Sequence, residues 1–168
     1  MLKKRTVTWP ELQTLVSKIC RELVLSEWKP DYVVGITRGG LVPAVLISHW
    51  LEVPLETLKV SLRDRTDYGC ESNLWMAEDA FDGKNILIVD DINDTGATLN
   101  WIKEDWPSGC FPNDPKWNEV WGNNIRVAVL FDNLASKSEI PVDYTGVEIN
   151  KAENNEWIDF PFEDWWTK

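Results

Sequence analysis

Short, continuous runs of apolar residues recur along the chain, and they constrain the fold more than any other feature. Residues 32–37, 85–89 and 126–131 are such runs, and a further strand is predicted over residues 55–62. Apolar runs without polar alternation are typical of strands that are buried on both faces of a sheet. Helix-like segments separate them, and strands that alternate with helices form βαβ units. The pattern predicts an α/β fold with a mainly parallel, twisted sheet flanked by helices.

Three helices are predicted around these strands. Residues 8–27 carry apolar side chains at the i, i+3, i+4 spacing of an amphipathic helix, and a capping box begins at Thr8. Two more helices, over residues 41–51 and 95–105, follow the first and the third strand. Residues 106–124 contain three prolines and two glycines, so an irregular insertion is expected there.

Length and charge narrow the class of protein. The 168 residues have the usual length of one domain, and the net charge of −11 argues against a nucleic-acid-binding protein. A phosphorylated ligand must therefore be met by local basic groups, backbone N–H groups or a metal ion. No apolar run has the length of a membrane span and no secretory signal is visible, so we expect a cytoplasmic protein without a membrane partner. Three scattered cysteines argue against a disulfide framework or a zinc site.

The most specific chemistry lies in residues 86–98, with the sequence ILIVDDINDTGAT. An apolar strand runs into Asp90 and Asp91, and a turn then leads to a helix that begins near Thr95. The N-terminus of a helix suits a phosphate, and neighbouring carboxylates accept hydrogen bonds from the hydroxyls of a ribose. Ligands of open parallel sheets gather at the carboxyl ends of the strands. A site for a ribose 5-phosphate is therefore predicted here.

Two common alternatives do not match this segment. The Walker pattern requires Gly-Lys-Ser/Thr, and residues 86–98 contain no lysine. A calcium loop that started at Asp91 would have Ile102 at its twelfth position, where a bidentate glutamate is needed. A helix cap alone requires fewer acids and threonines than the segment carries. The interpretation as a phosphosugar site therefore stands.

Residues 86–98 resemble the signature of type I phosphoribosyltransferases that binds phosphoribosyl pyrophosphate (PRPP), in which paired acids precede a D-T-G-x-T-like loop. The resemblance implies transfer of the 5-phosphoribosyl group of PRPP to a nucleobase, with release of pyrophosphate. It implies that Asp90 and Asp91 hold the ribose hydroxyls and Mg²⁺. The remaining PRPP-binding residues that it implies are Asp94, Thr95, Gly96, Ala97 and Thr98. Asp94 is also the expected catalytic residue, an acid beside the imidazole ring of a purine.

A second segment, Thr-Arg-Gly-Gly at residues 37–40, resembles the pyrophosphate loop of the family, which carries a non-proline cis peptide just before the glycines. Two glycines allow an anion to approach the backbone closely, and the arginine brings permanent positive charge. Residues 63–75 correspond to a mobile loop of the family, where Arg63 and Arg65 are expected to reach the pyrophosphate. The implied pyrophosphate-binding residues are Thr37, Arg38, Gly39 and Arg63.

The C-terminal segment at residues 155–163, NEWIDFPFE, resembles the hood of the xanthine, guanine and hypoxanthine branch. The resemblance implies that Trp157 stacks on the base and that Ile158 contacts its edge. That branch has a lysine after the last core strand that reads the 6-oxo group, whereas this chain has Asn133 there, with Lys137 nearby. An asparagine both donates and accepts, so the choice of purine stays open, and so does a pyrimidine.

The resemblance covers nearly the whole chain and implies a type I phosphoribosyltransferase fold as a single domain over residues 1–168. The core is expected over about 28–135, and a small C-terminal hood over about 140–168, with the N-terminal segment packed nearby. Mg²⁺ is the implied cofactor, PRPP and a nucleobase are the implied ligands, and the implied assembly is a homodimer or homotetramer. Two other functions stay open, which are a regulator that senses PRPP or a nucleotide and an unrelated phosphosugar-binding protein.

Overall fold

A five-stranded sheet, parallel throughout, forms the centre of the computed structural model, which describes residues 2–62 and 70–168. Its strands are β2 (Tyr32–Thr37), β3 (Leu55–Lys59), β4 (Ile86–Asn93), β5 (Ile125–Asn133) and β6 (Tyr144–Ile149), in the spatial order β3-β2-β4-β5-β6. The chain thus moves from β2 to one side of the sheet and then returns to add β4 on the other side. Such a reversal opens a crevice at the carboxyl ends of the two central strands.

Helices cover both faces of this sheet. They are α1 (Trp9–Leu25), α2 (Leu41–Leu51), α3 (Leu74–Phe81) and α4 (Ala97–Gly109). Along β4, Leu87 and Val89 pack with α1 and α2, whereas Ile86 and Ile88 pack with α3 and α4. Both faces of the strand are therefore apolar, which explains the continuous run in the sequence. Among the described residues, no helix is long and apolar enough to cross a bilayer.

The start of α1 is set by the predicted cap. The Thr8 hydroxyl accepts a hydrogen bond from the Glu11 N–H at 3.2 Å. The Glu11 carboxylate forms an ion pair with Arg5 at 3.0 Å. The helix ends at Leu25, two residues before the predicted end, and Ser26 occupies the C-cap.

The prediction of an irregular insertion over residues 106–124 is wrong in part. Helix α4 continues to Gly109 with Pro107 in its last turn, and a 3₁₀ turn spans Pro115–Glu119. The rings of Trp106 and Trp117 are buried against α3 and the sheet. Each lies about 6 Å from Trp121, with centroid separations of 5.9 and 6.2 Å. The tryptophans of this segment therefore extend the hydrophobic core at one end of the sheet.

A second, two-stranded parallel sheet joins the two ends of the chain. Its strands are β1 (Lys3–Thr6) and β7 (Glu156–Asp159). Lys3 forms an ion pair with Glu156 at 3.0 Å, and Lys4 forms one with Asp159 at 3.3 Å. Residues 3–6 thus lie directly beside residues 156–159.

Candidate active site

A cavity of about 940 Å³ opens at the carboxyl ends of β2 and β4, where the chain reverses direction across the sheet. Four segments line it, together with Val129 of β5: the end of β2 with its connection to α2, residues 60–62 after β3, the end of β4 with the turn into α4, and the C-terminal residues 162–166. Most of the site residues predicted from the sequence line this one cavity, namely Thr37, Arg38, Gly39, Asp90, Asp91, Asp94, Thr95, Gly96, Ala97 and Thr98. Arg63 and Arg65, expected near the pyrophosphate, lie outside the described residues.

The two neighbouring acids belong to β4 itself, which continues beyond its predicted end at Val89 to Asn93. Asp90 is buried and pairs with Val129 of β5 in the register of the sheet. Its carboxylate accepts the N–H of Asp91 at 2.9 Å, and the Asp91 carboxylate accepts the N–H of Ile92 at 2.7 Å. These short bonds hold both carboxylates in fixed orientations at the cavity wall.

The Thr-Arg-Gly-Gly loop lies directly against these acids. A Cβ atom on Gly39 would come within 2.1 Å of the Asp91 carboxylate, so only a glycine leaves room for that side chain in its present position. The peptide bond between Thr37 and Arg38 is cis. Arg38 is exposed and lines the cavity. One loop thus places the cationic side chain of Arg38 and a glycine backbone without side chains beside the two carboxylates.

The turn into α4 presents the N-terminus of the helix to the cavity. Gly96, at φ 90°, occupies the N-cap and has no side chain with which to cap the first turn. The Thr95 hydroxyl accepts the N–H of Ala97 at 3.2 Å, and the Thr95 carbonyl accepts the N–H of Lys137 at 2.9 Å. The positive end of the helix dipole therefore faces the cavity, which is a favourable position for a phosphate.

Asp94 is held from two directions. Its carbonyl accepts a hydrogen bond from the Asn133 amide at 2.8 Å, and its carboxylate lies 3.1 Å from the ammonium of Lys151. Asn133 is buried, and its side-chain oxygen accepts the N–H groups of Ala135 and Lys151. Asn133 thus connects three backbone segments beneath the turn and does not line the cavity. Lys151 was missed by sequence reasoning, because nothing in its local sequence distinguishes it from a surface lysine.

The other residues that were predicted to bind the base lie away from the cavity. Trp157 lies in β7 opposite Lys4, Ile158 is buried in the core beneath it, and neither lines the cavity. The side chain of Lys137 is exposed and does not line it either. Within residues 2–62 and 70–168, the aromatic residues that line it are Phe162, Trp165 and Trp166.

Lys168 bonds to residues that flank these aromatic residues in sequence. The ammonium of Lys168 lies 3.2 Å from the Asp159 carboxylate and donates to the Phe160 carbonyl at 2.7 Å and to the Glu163 carbonyl. The rings of Trp165 and Trp166 stand edge to face, with centroids 6.2 Å apart. The tail therefore folds back and forms one wall of the cavity.

Comparison with known proteins agrees with this geometry. The family model of the phosphoribosyl transferase domain matches residues 6–164. A purine phosphoribosyltransferase from Pyrococcus horikoshii Ot3 is similar in structure, with 26% identity and a TM-score of 0.65 over 97% of this chain and 96% of that one.

Two more distant structures share the fold. The Helicobacter pylori xanthine-guanine-hypoxanthine phosphoribosyltransferase has 15% identity and a TM-score of 0.66, over 99% of this chain and 97% of that one. A hypothetical protein from Neisseria gonorrhoeae with bound ppGpp has 20% identity and a TM-score of 0.65, over 97% and 90%. Since the domain match spans nearly all of its residues, the chain belongs to the phosphoribosyl transferase domain family.

Proposed function

We propose that this chain is a Mg²⁺-dependent enzyme that transfers the 5-phosphoribosyl group of PRPP to a purine base and releases pyrophosphate. One observation carries the proposal: two carboxylates, the N-terminus of α4 and the Thr-Arg-Gly-Gly loop line the same cavity. A sugar with vicinal hydroxyls, a 5-phosphate and a second anionic group requires these three kinds of contact. The name of the Pyrococcus horikoshii protein supports a purine as acceptor.

Each part of PRPP has a matching element in this arrangement. The carboxylates of Asp90 and Asp91 accept hydrogen bonds from the ribose hydroxyls. The turn of residues 94–98 receives the 5-phosphate, because backbone N–H groups and hydroxyls converge there. Arg38 and the backbone at Gly39 meet the pyrophosphate and stabilise its charge as it departs.

The donor set fits Mg²⁺ as the metal ion. Mg²⁺ prefers carboxylate oxygens and is usually held by one or two of them together with the phosphates of the substrate. Asp90 and Asp91 supply two such carboxylates, and within the described residues no group of three or more metal-ligating side chains converges. The ion would therefore arrive with PRPP. When bound, it neutralises part of the charge on the pyrophosphate.

The proposed reaction assigns a role to each of these groups. The bond between the anomeric carbon and the pyrophosphate oxygen breaks, and a ring nitrogen of the base forms a bond to that carbon with inversion. The base gives up an N–H proton in this process, and the carboxylate of Asp94 receives it. Asp94 is the first residue of the phosphate turn and lines the cavity, and 43% of its side chain is exposed, so a base can reach it.

A nucleobase panel tests the proposed activity. Purified protein is incubated with PRPP, Mg²⁺ and one of hypoxanthine, guanine, xanthine, adenine, uracil or orotate, and pyrophosphate release is measured. We expect release that depends on both a purine and Mg²⁺. If calorimetry shows PRPP binding but no base elicits pyrophosphate, the chain is a PRPP-sensing regulator on the same fold. If PRPP does not bind either, both functions are excluded.

Asp90→Asn and Asp91→Asn are each expected to raise the Kd for PRPP. A hydrogen bond to a charged group contributes about 1.5–3 kcal/mol, which corresponds to about a 10- to 100-fold change in affinity. Isothermal titration calorimetry with PRPP and Mg²⁺ measures the effect. Asp82→Asn is the matched control, since Asp82 is an exposed acid at the end of α3. PRPP affinity as high as in the wild type would remove these two acids from the ribose site.

A further inference from the structure

A second cleft, of about 790 Å³, lies between α1 and α2 and shares no lining residue with the candidate active site. The buried side chains of Leu12, Val16 and Cys20 line it. Trp9 and Trp50 line it as well, and they are 53% and 54% exposed. Exposed apolar surface that is grouped in this way marks interaction sites. The cleft between α1 and α2 is therefore a candidate interaction surface.

Helix α2, with the sequence LVPAVLISHWL, is apolar around most of its circumference. One of its sides is buried in the core through Ala44 and Ile47. The other side lines the cleft through Val42, Leu46 and Trp50, at positions i, i+4 and i+8. A helix that is apolar on all sides is normally buried on all sides. The second side of α2 is therefore expected to be covered by a partner.

The row of α1 side chains beside the cleft is complementary to itself when it is reversed. Trp9, Gln13, Ser17 and Arg21 follow one another at i+4 spacing, are exposed, and line the cleft. When two such rows lie antiparallel, Arg21 of each copy meets the partner's Trp9, and a guanidinium is attracted to the face of an indole. Gln13 of each copy meets the partner's Ser17, whose hydroxyl can accept a hydrogen bond from the amide. All four positions thus gain a favourable contact in a second copy.

The distribution of charge favours a second copy of this chain as the occupant. The chain has 28 acidic and 17 basic residues and a net charge of −11, so acidic surfaces of two copies repel each other. None of the eleven described residues that line the cleft is acidic, and Arg21 is the one charged residue among them. Within residues 2–62 and 70–168, Arg21 forms no ion pair. Its guanidinium is therefore available to a partner's indole, and the same kind of contact holds Arg126 at 4.7 Å from the Trp28 ring centroid.

We propose that the cleft between α1 and α2 is the interface of a two-fold symmetric homodimer, in which the α1 helices of the two copies lie antiparallel. A two-fold axis makes one surface its own partner, so each contact along the row of α1 occurs twice. The same arrangement covers Leu46 and Trp50 of both copies. The inference does not rest on the proposed transferase activity. Because α2 begins at Leu41, directly after the Thr-Arg-Gly-Gly loop, the interface involves the helix that leads out of the candidate active site.

Sedimentation velocity of the full chain over a dilution series tests the interface, and we expect the wild type to form a dimer. Trp9→Arg brings like charges together at both contacts, and Arg21→Glu removes both cation–π contacts. Each substitution should therefore raise the Kd of the dimer by at least about 10-fold. Lys29→Glu is the matched control, since it makes the same change of charge at an exposed residue outside the cleft. Its Kd should stay within about 3-fold of the wild-type value.

A mixture of Trp9→Arg and Arg21→Glu tests the antiparallel pairing itself. In a mixed dimer the two introduced charges of opposite sign face each other, and the unchanged Arg21 faces the unchanged Trp9. The mixture should therefore form dimers with a Kd at least about 10-fold lower than that of either variant alone. A mixture that stays monomeric would refute the antiparallel pairing.

Two further outcomes would overturn the interface. One is a wild type that stays monomeric throughout the dilution series, which would assign the cleft to a different partner. The other is a dimer whose Kd neither substitution changes, which would place the interface on another surface. Circular dichroism confirms the folding of each variant. Should Trp9→Arg not fold, Trp9→Lys introduces the same charge and gives the same mixture with Arg21→Glu.

Discussion

Asp94→Asn is expected to lower kcat by about 10²- to 10³-fold, with a change of less than about 3-fold in the Kd for PRPP. An asparagine has nearly the same size, and its oxygen can still accept a hydrogen bond from Lys151. It cannot take up the proton that the base releases as its bond to the anomeric carbon forms. Steady-state kinetics at saturating base and PRPP measure kcat, and calorimetry measures PRPP binding.

Asp82→Asn again serves as the surface control for this loss of charge. A double-mutant cycle with Lys151→Met then measures how strongly the acid and the ammonium depend on each other, since contacting residues are rarely additive. In the Asp94→Asn background, the further loss of Lys151 should lower kcat less than it does in the wild type. Turnover that is unchanged in Asp94→Asn would exclude Asp94 from the chemistry.

The central sheet was predictable because the feature that determines its strands, burial on both faces, leaves a pattern in the local sequence. Strands β2, β4 and β5 are buried on both faces, so each is apolar at consecutive positions and visible as a run. The N-terminus of α1 was equally local, since the cap at Thr8 acts within one turn. Residues 37–40 and 86–98 could be placed in one site because both segments reach the carboxyl ends of strands in one parallel sheet. The carboxyl ends of such strands share an edge.

The parts that sequence reasoning missed depend on contacts between distant residues. The strands β1 and β7 are short and charged, and they form because the two ends of the chain meet. Lys151 acquires its position through Asn133, which lies 18 residues earlier in sequence and on a different element. The aromatic wall from the C-terminal tail likewise depends on the return of Lys168 to Phe160. These long-range contacts leave no pattern in the local sequence. The family resemblance therefore indicated Trp157 as a base-binding residue and none of the other tryptophans.

The two adjacent glycines of the Thr-Arg-Gly-Gly loop are expected to differ sharply when each is replaced by alanine. At Gly40 the new Cβ would lie 2.3 Å from the carbonyl oxygen of Val89 and 2.9 Å from the Cα of Asp90. Both are backbone atoms of the central strand, so they cannot rotate away. At Gly39 the three atoms nearest to the new Cβ all belong to the side chain of Asp91, and the nearest is a carboxylate oxygen at 2.1 Å. Gly40→Ala therefore strains the sheet, whereas Gly39→Ala displaces the Asp91 carboxylate in the cavity.

Gly40→Ala should consequently lose about 3 kcal/mol of the free energy of unfolding, the upper range for overpacking, and its Tm should fall by about 6–12 °C. Gly39→Ala should keep its Tm within about 3 °C, yet bind PRPP at least about 10-fold more weakly, because Asp91 must leave its orientation. Gly109→Ala, at the end of α4, should change neither quantity, since its Cβ would have only an ordinary contact with Leu74. Differential scanning calorimetry and PRPP titration measure the two effects. Equal losses of stability in Gly39→Ala and Gly40→Ala would contradict the assignment of Asp91 to the ligand site. The Asp91 carboxylate, which Gly39→Ala displaces, would then contribute to the core of the fold.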